Sequence, residues 1–317
     1  MREYTITGHK DTRSGFGDGL FEAAQSNENI VAMCADLTGS IKFDKFAKEF
    51  PERYLQAGIA EANMVGVAAG LAVAGKVPFV GTFAAFATGR VYDQIRQSVA
   101  YSNTNVKICA SHAGITLGED GATHQIMEDL GLMKMLPGMV VINPCDYNQT
   151  VAATKAAAEY VGPVYLRFGR PVEPIFTPVD EEFVIGKAVR WAQGSDVTII
   201  ATGHLMYRAI KATEALEAKG VSVDLLNIHT IKPLDSEAIL ESVARTGCVV
   251  VAEEHMMNGG LGDSVAQLLS RECPAPVEYV SVDDKFGTSG RPEELMQHYG
   301  LTADAVEAAA ERVMSRK

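Results

Sequence analysis

Short apolar runs alternate with longer, helix-like stretches along most of this chain. The runs Ile30–Cys34, Tyr54–Gln56, Val77–Val80, Val106–Ala110, Met139–Ile142 and Val164–Phe168 are read as strands, most with little polar alternation. That pattern suits strands covered on both faces. Between them, helices are predicted near 15–27, 40–49, 61–75, 83–100, 127–134 and 147–160. Such alternation predicts βαβ units and a parallel sheet. Within Arg170–Pro178 stand three prolines, Pro171, Pro174 and Pro178, which predict a linker without regular structure. Beyond it the alternation resumes, with strands at Val197–Ala201, Val223–Asn227, Val249–Ala252 and Val277–Val280. Helices fit 203–219, 235–246, 260–271 and 302–315. The predicted fold class is α/β, as two consecutive parallel-sheet domains spanning residues 1–180 and 181–317.

The length of 317 residues suits two domains, and 47% hydrophobic with 21% charged residues is ordinary for a folded chain. Charge narrows the partners more sharply. A formal net charge of -12 argues against nucleic acid and acidic membrane surfaces, both of which require a basic patch. No apolar run approaches the roughly 18 residues of a membrane span. Met1–Thr7 has no apolar core, so no signal peptide is expected. The five cysteines form no CxxC, and Cys34, Cys109 and Cys248 lie inside apolar runs. They read as small buried hydrophobes of a reducing cytoplasm.

Candidate chemistry concentrates in His112–His124, HAGITLGEDGATH. This segment packs two imidazoles, two carboxylates and three glycines between a strand and a helix. A permissive loop at a strand's C-terminal end sits where open α/β sheets bind ligands. Glu61 opens a helix that is apolar nearly all round, Met64, Val65, Val67, Ala68, Leu71 and Ala72, and that pattern predicts a buried helix. Charge at a helix N-terminus is favourable by ~0.3–1 kcal/mol. A buried carboxylate also needs a partner, and a ligand nitrogen would serve. Phe83 and Phe86 share a helical face, as core packing or as a wall for a planar ring. Asp36 follows the strand Ile30–Cys34, placed to cap a helix or touch a ligand. In the second half, Thr202-Gly203-His204 is a plausible anion nest. His255, Asn258, Gly259 and Gly260 form a further loop there, and no catalysis is expected from this half.

Together these segments resemble the transketolase family. HAGITLGEDGATH is similar to the family's HDSIGLGEDGPTHQ loop, and GIAEANM at Gly58–Met64 to its GVREFGM segment. Ala35–Ser40 is similar to ADLTPSN, and Gly162–Arg170 to GPTALILSR. From Gly186 the chain looks like the transketolase C-terminal domain. Gly17-Asp18-Gly19 imitates the start of the GDG-to-Asn motif that holds metal diphosphate in thiamine enzymes. No Asn stands in 41–49, however, and the triplet precedes a strand, so a surface turn or helix start is expected.

The resemblance implies the C-terminal subunit of a split, thiamine-diphosphate-dependent transketolase, moving a two-carbon ketol unit between sugar phosphates. The partner would be an N-terminal transketolase subunit, in an α2β2 assembly, which would hold Mg²⁺ (or Ca²⁺); no metal site is expected here. Glu61 matches the glutamate that bonds the aminopyrimidine, Phe83 and Phe86 its aromatic packing, and Asp36 and Leu37 further cofactor contacts. The family's third aromatic falls at Gly89, leaving that wall absent or supplied by Tyr92. Asp120 matches a residue reading a sugar hydroxyl, and His124 one near the reacting carbons. His112, Ser40, Arg170 and Arg13 match the sugar-phosphate site, whereas Arg167 has no assigned role. Within the superfamily, the β subunit of a 2-oxo acid dehydrogenase and a deoxyxylulose-phosphate synthase-like enzyme are alternatives. A non-catalytic subunit or docking module is the alternative from another class.

Overall fold

The computed structural model describes residues 1–317. Strand β1 (Gly8–Asp11) leads into helix α1 (Thr12–Ser26), whose N-terminus is capped by Asp11. The Asp11 carboxylate accepts from the Ser14 N–H at 2.9 Å. There follow β2 (Ile30–Cys34), α2 (Thr38–Ile41), α3 (Asp44–Glu49), β3 (Tyr54–Gln56), α4 (Glu61–Val73) and β4 (Val77–Phe83). The chain then breaks into α5 (Ala84–Ala87), a 3-10 turn at Gly89–Val91, α6 (Tyr92–Gln94) and a π-helical segment at Ile95–Tyr101. The half ends with β5 (Lys107–Ser111), α7 (Asp129–Lys134), β6 (Val140–Ile142), α8 (Tyr147–Glu159), β7 (Val164–Arg167) and β8 (Val172–Ile175).

The second half contains β9 (Val189–Ala192), β10 (Val197–Ala201), α9 (Leu205–Ala218), β11 (Val223–Asn227), β12 (Thr230–Lys232) and α10 (Ser236–Thr246). It closes with β13 (Val249–Met256), α11 (Leu261–Glu272), β14 (Val277–Val282), α12 (Pro292–His298) and α13 (Ala303–Met314). The larger sheet has the order β12-β6-β7-β5-β4-β2-β3 and the smaller one β14-β13-β10-β11-β9. Within these two sheets all pairings are parallel except those of the edge strands β12 and β9.

Several sequence expectations need correction. The single helix predicted near 83–100 is broken, because Thr88 leaves helical dihedrals (φ -126, ψ -82). The helix at 40–49 is divided at Lys42, which takes a left-handed φ of 66. The proline-rich stretch is not irregular throughout, since β8 pairs antiparallel with β1 and sets His9 opposite Pro174. Proline is tolerated in such a two-stranded ribbon because its missing N–H can face outward. Gly17-Asp18-Gly19 is neither a surface turn nor a helix start but lies inside α1. There glycine permits close approach: a Cβ at Gly19 would lie 2.8 Å from the Val151 carbonyl oxygen of α8. Finally, α4 is not buried all round. It buries Glu61, Met64, Val65, Ala68 and Ala69 but exposes Ala62, Gly66, Val67, Gly70 and Val73. The sheet covers one side of a helix only, so apolarity on the other side needs a second surface.

The halves share an apolar core in which Met33, Met64, Val80 and Ile108 join Leu226, Val249, Val251 and Leu261. A charged cluster is buried nearby. Arg167 Nε donates to Asp129 Oδ2 at 2.8 Å, and the Tyr165 hydroxyl donates to the same oxygen at 2.6 Å. Arg167 Nη2 also donates to the Glu254 main-chain oxygen of β13 at 2.9 Å. Burial alone would raise the Asp129 pKa, but the Arg167 guanidinium holds it below the usual carboxylate range. Replacing Asp129 with Ala leaves a buried, uncompensated guanidinium, with an expected loss of about 3–5 kcal/mol. Urea unfolding should show the reduced midpoint, and a loss below about 1 kcal/mol would contradict the role given to this pair.

Candidate functional site

Strands β2, β4, β5 and β7 run parallel and deliver their C-terminal ends to one edge of the larger sheet. Asp36 and Leu37 follow β2, Phe83 ends β4, His112 follows β5, and Arg170 follows β7. Ligands of open parallel sheets bind outside this edge.

Glu61 is the first residue of α4 and is 4% exposed. Its Oε1 accepts from Arg90 Nη1 at 2.8 Å. The half-exposed Arg90 lays its guanidinium 3.9 Å from the Phe86 ring centroid. Phe86 stacks on Phe83 at 5.8 Å, and Phe83 stacks on His112 at 3.9 Å. His124 meets the edge of Phe86 at 5.4 Å. The structure therefore brings Glu61, Phe83, Phe86, His112 and His124 into one contiguous set. Arg90 is the member that sequence reading missed. Gly89 leaves a gap, as nothing lies within 4 Å of a Cβ built there, and Tyr92 packs against the apolar core. It is the Arg90 side chain, one position on, that covers Phe86.

A second set surrounds the other side of His112. Arg13 Nε bonds Asp11 at 3.1 Å, and its Nη1 donates to the Ser40 carbonyl oxygen at 3.3 Å. Arg170 Nη1 donates to the Leu117 carbonyl oxygen and to Glu119 Oε2, both at 2.7 Å. His112 itself takes a left-handed φ of 57, and its Nδ1 bonds Ser111 Oγ at 2.8 Å. Its pKa is pushed down to about 3 by burial first, then by the cations Arg13, Arg170 and Lys42. Lys42, unmarked in the sequence, thus belongs with two of the predicted cations. Asp120 is exposed on the loop between Gly118 and Gly121, both at positive φ. Asp36 is exposed, and its N–H donates to Gln56 Oε1 at 2.7 Å; the Leu37 N–H meets Cys34 Sγ at 3.2 Å. Neither Asp36 nor Leu37 hydrogen-bonds the Glu61 set.

The second half's loops turn out to be internally committed. The anion nest predicted at Thr202-Gly203-His204 is filled: a Cβ at Gly203 would lie 2.6 Å from Asn143 Nδ2, and His204 pairs with Glu254. His255 Nδ1 bonds the Met256 carbonyl oxygen at 2.7 Å, and its Nε2 accepts from the Gly131 N–H at 3.3 Å. Glu253 accepts from the N–H groups of Leu261 and Gly262, closing the start of α11.

The first set suits a planar, aminated heteroaromatic ring. Arg90 already shows the two interactions such a ring would make: stacking on Phe86 and donation to Glu61. The second set is a field of three cations around a neutral imidazole, suited to an anionic group. No group of three or more His, Cys, Asp or Glu side chains is arranged to hold a metal ion.

The chain thus combines two α/β domains with mostly parallel sheets, the first carrying the glutamate, aromatic and cation sets at one sheet edge. Residues 9–173 match the family described as transketolase, pyrimidine binding domain, and residues 186–306 match transketolase, C-terminal domain. The chain belongs to the transketolase family, whose cofactor is thiamine diphosphate. It is 45% identical over 309 residues to a putative transketolase C-terminal section from Methanocaldococcus jannaschii, covering 96% of each chain. It is 44% identical to a 6-deoxy-6-sulfo-D-fructose transketolase subunit from Clostridium sp. (strain MSTE9), covering 96% of this chain and 95% of the relative. A solved split gene transketolase, an inactive beta4 tetramer, superposes with a TM-score of 0.90 at 46% identity, covering 97% of this chain and 99% of that one. No helix is long and apolar enough to cross a membrane.

The depressed pKa of His112 carries a consequence for stability. A group whose folded pKa lies below its unfolded value contributes stability above the unfolded pKa and loses it on acidification. The unfolding free energy should therefore fall as pH drops from about 6.5 towards about 3, and His112→Gln should remove that component. An NMR titration should find the His112 ring neutral at pH 5; a midpoint between 6 and 7 would contradict the site's electrostatics.

Proposed function

We propose that this chain is the C-terminal subunit of a two-chain transketolase that moves a two-carbon ketol unit from a ketose phosphate to an aldose phosphate. The observation that carries the reading is the contiguous Glu61, Arg90 and Phe86 set together with the cation cluster of Arg13, Lys42 and Arg170, on a chain that aligns end to end with a transketolase C-terminal section. Residues 1–180 act as the pyrimidine-binding unit and residues 181–317 as the C-terminal unit.

Thiamine diphosphate supplies, when bound, the carbanion chemistry that the side chains lack. Glu61 holds or shares a proton with the ring nitrogen of the pyrimidine, which requires Arg90 to leave its oxygen. Phe86, with Phe83 stacked behind it, would offer the ring an apolar face that excludes water, and Asp36 and Leu37 would line its approach. Arg13, Ser40, Arg170 and His112 bind the sugar's terminal anion, with His112 as a neutral hydrogen-bonding group. Asp120 reads a hydroxyl, and His124, against the Phe86 edge, moves protons at the reacting carbons. The diphosphate and its Mg²⁺ (or Ca²⁺) fall to an N-terminal transketolase subunit in an α2β2 assembly. The uncovered apolar side of α4, including Val67 and Val73 at 41% and 80% exposure, supports a second chain packing there.

The test combines this chain with its candidate partner, thiamine diphosphate, Mg²⁺ and xylulose 5-phosphate. Ketol transfer should appear in the mixture, and Glu61→Ala should lower it by roughly 10²–10⁴-fold without unfolding the chain. No transfer by the wild-type pair, or wild-type rates in Glu61→Ala, would overturn the reading.

A further inference from the structure

Beneath the 112–124 loop lies a carboxylate that the proposed reaction does not use. Glu254 sits on β13 of the second half and is 2% exposed. Its Oε1 accepts from the Thr116 N–H at 2.8 Å and from Thr116 Oγ1 at 2.7 Å. Its Oε2 faces His204 Nδ1 at 3.2 Å. A carboxylate this deep is tolerable only because donors surround it. Two of those three donors belong to the loop. Packing leaves no slack: a Cβ at Gly114 would lie 2.1 Å from Glu254 Oε1, and one at Gly169 would lie 2.1 Å from the His204 ring. Left-handed φ at Gly114, 78, also bars a side chain there.

The loop is further closed on itself and tied a second time to the same half. The Gly114 N–H donates to the Ile126 carbonyl oxygen at 2.9 Å across an isolated antiparallel bridge. Gln125 Nε2 donates to the Ile115 carbonyl oxygen at 2.9 Å and to that of Thr288 at 3.0 Å. Asp120 and His124 both lie between these ties, so their positions follow from where the neck of the loop is held. Errors of about an ångström in a binding group are costly to turnover.

We propose that Glu254 is a positioning residue: through Thr116 and His204 it anchors the loop that carries Asp120 and His124, so the second half governs ketose binding without touching the sugar. The proposal rests on the sugar-reading role given to that loop above.

Two measurements test it independently. On the full chain alone, Glu254→Ala should speed amide hydrogen exchange across 113–125 by about tenfold or more, with β2 and α13 unchanged, as expected for losing bonds to a buried charge. In the reconstituted pair, the same variant should raise KM for the ketose and lower kcat/KM about tenfold or more, with kcat falling too because His124 rides on the same loop. Glu254→Gln should restore most of both, since its amide oxygen accepts from Thr116 and its NH₂ can donate to His204. Should Glu254→Ala not fold, Thr116→Val deletes the hydroxyl donor alone and should give a smaller change in the same direction. Unchanged loop exchange, an effect on kcat alone, or a Gln variant as impaired as Ala would overturn the proposal. A wild-type pair without ketol transfer would defeat the functional reading, yet the exchange measurement would still decide whether Glu254 anchors the loop.

Discussion

The buried guanidinium of Arg167 is the interaction on which the rest of the molecule depends. It neutralises Asp129 within the first half and donates to the main chain of Glu254 in the second. A buried charge must be met from several directions, and here the two halves share that task. The same junction contains the Glu254 side chain, His204 and the glycines at 114 and 169, which admit the carboxylate and the imidazole respectively. An apolar core that runs across both sheets completes the union. The second half is therefore the floor on which the candidate substrate loop rests.

Above that floor the site separates into two chemistries. One is a carboxylate and aromatic set, in which Arg90 donates to Glu61 and lies over Phe86. The other is a cluster of cations that adds to burial in keeping His112 uncharged. His112 joins them, stacked on Phe83 on one side and facing positive charge on the other. Neutrality matters for this position, because an uncharged imidazole can bond both to an anion and to a hydroxyl. The half-exposed Arg90 over Glu61 and the uncovered side of α4 fit the proposed site shared between chains.

Much of the architecture was legible from the residues. The runs Ile30–Cys34, Tyr54–Gln56, Val197–Ala201 and Val223–Asn227 coincide with strands. Strands inside the sheets announce themselves because both faces demand apolar side chains, whereas Tyr54–Gln56 is a largely exposed edge strand. What escaped was decided by partners distant in sequence. Strand β12 exists because β6 of the other half offers an edge, and β8 because β1 does. Periodicity over 83–100 could not reveal the break at Thr88. The loop His112–His124 was visible from its composition, but its anchor was not. Glu254 stands in an ordinary Glu-Glu-His run, and only the fold shows one glutamate turned to α11 and the next to Thr116. Arg90 likewise carries no signal in the sequence, and only the fold sets it against Glu61 and Phe86.

The central claim is that this chain supplies half of a cofactor site, and calorimetric binding of thiamine diphosphate tests it most directly. Cofactor with Mg²⁺ would be titrated into this chain, into the N-terminal partner, and into their equimolar mixture. The account expects tight binding, in the micromolar range or better, only in the mixture, with weakening on Glu61→Ala. Binding to this chain alone as tight as to the mixture would contradict it.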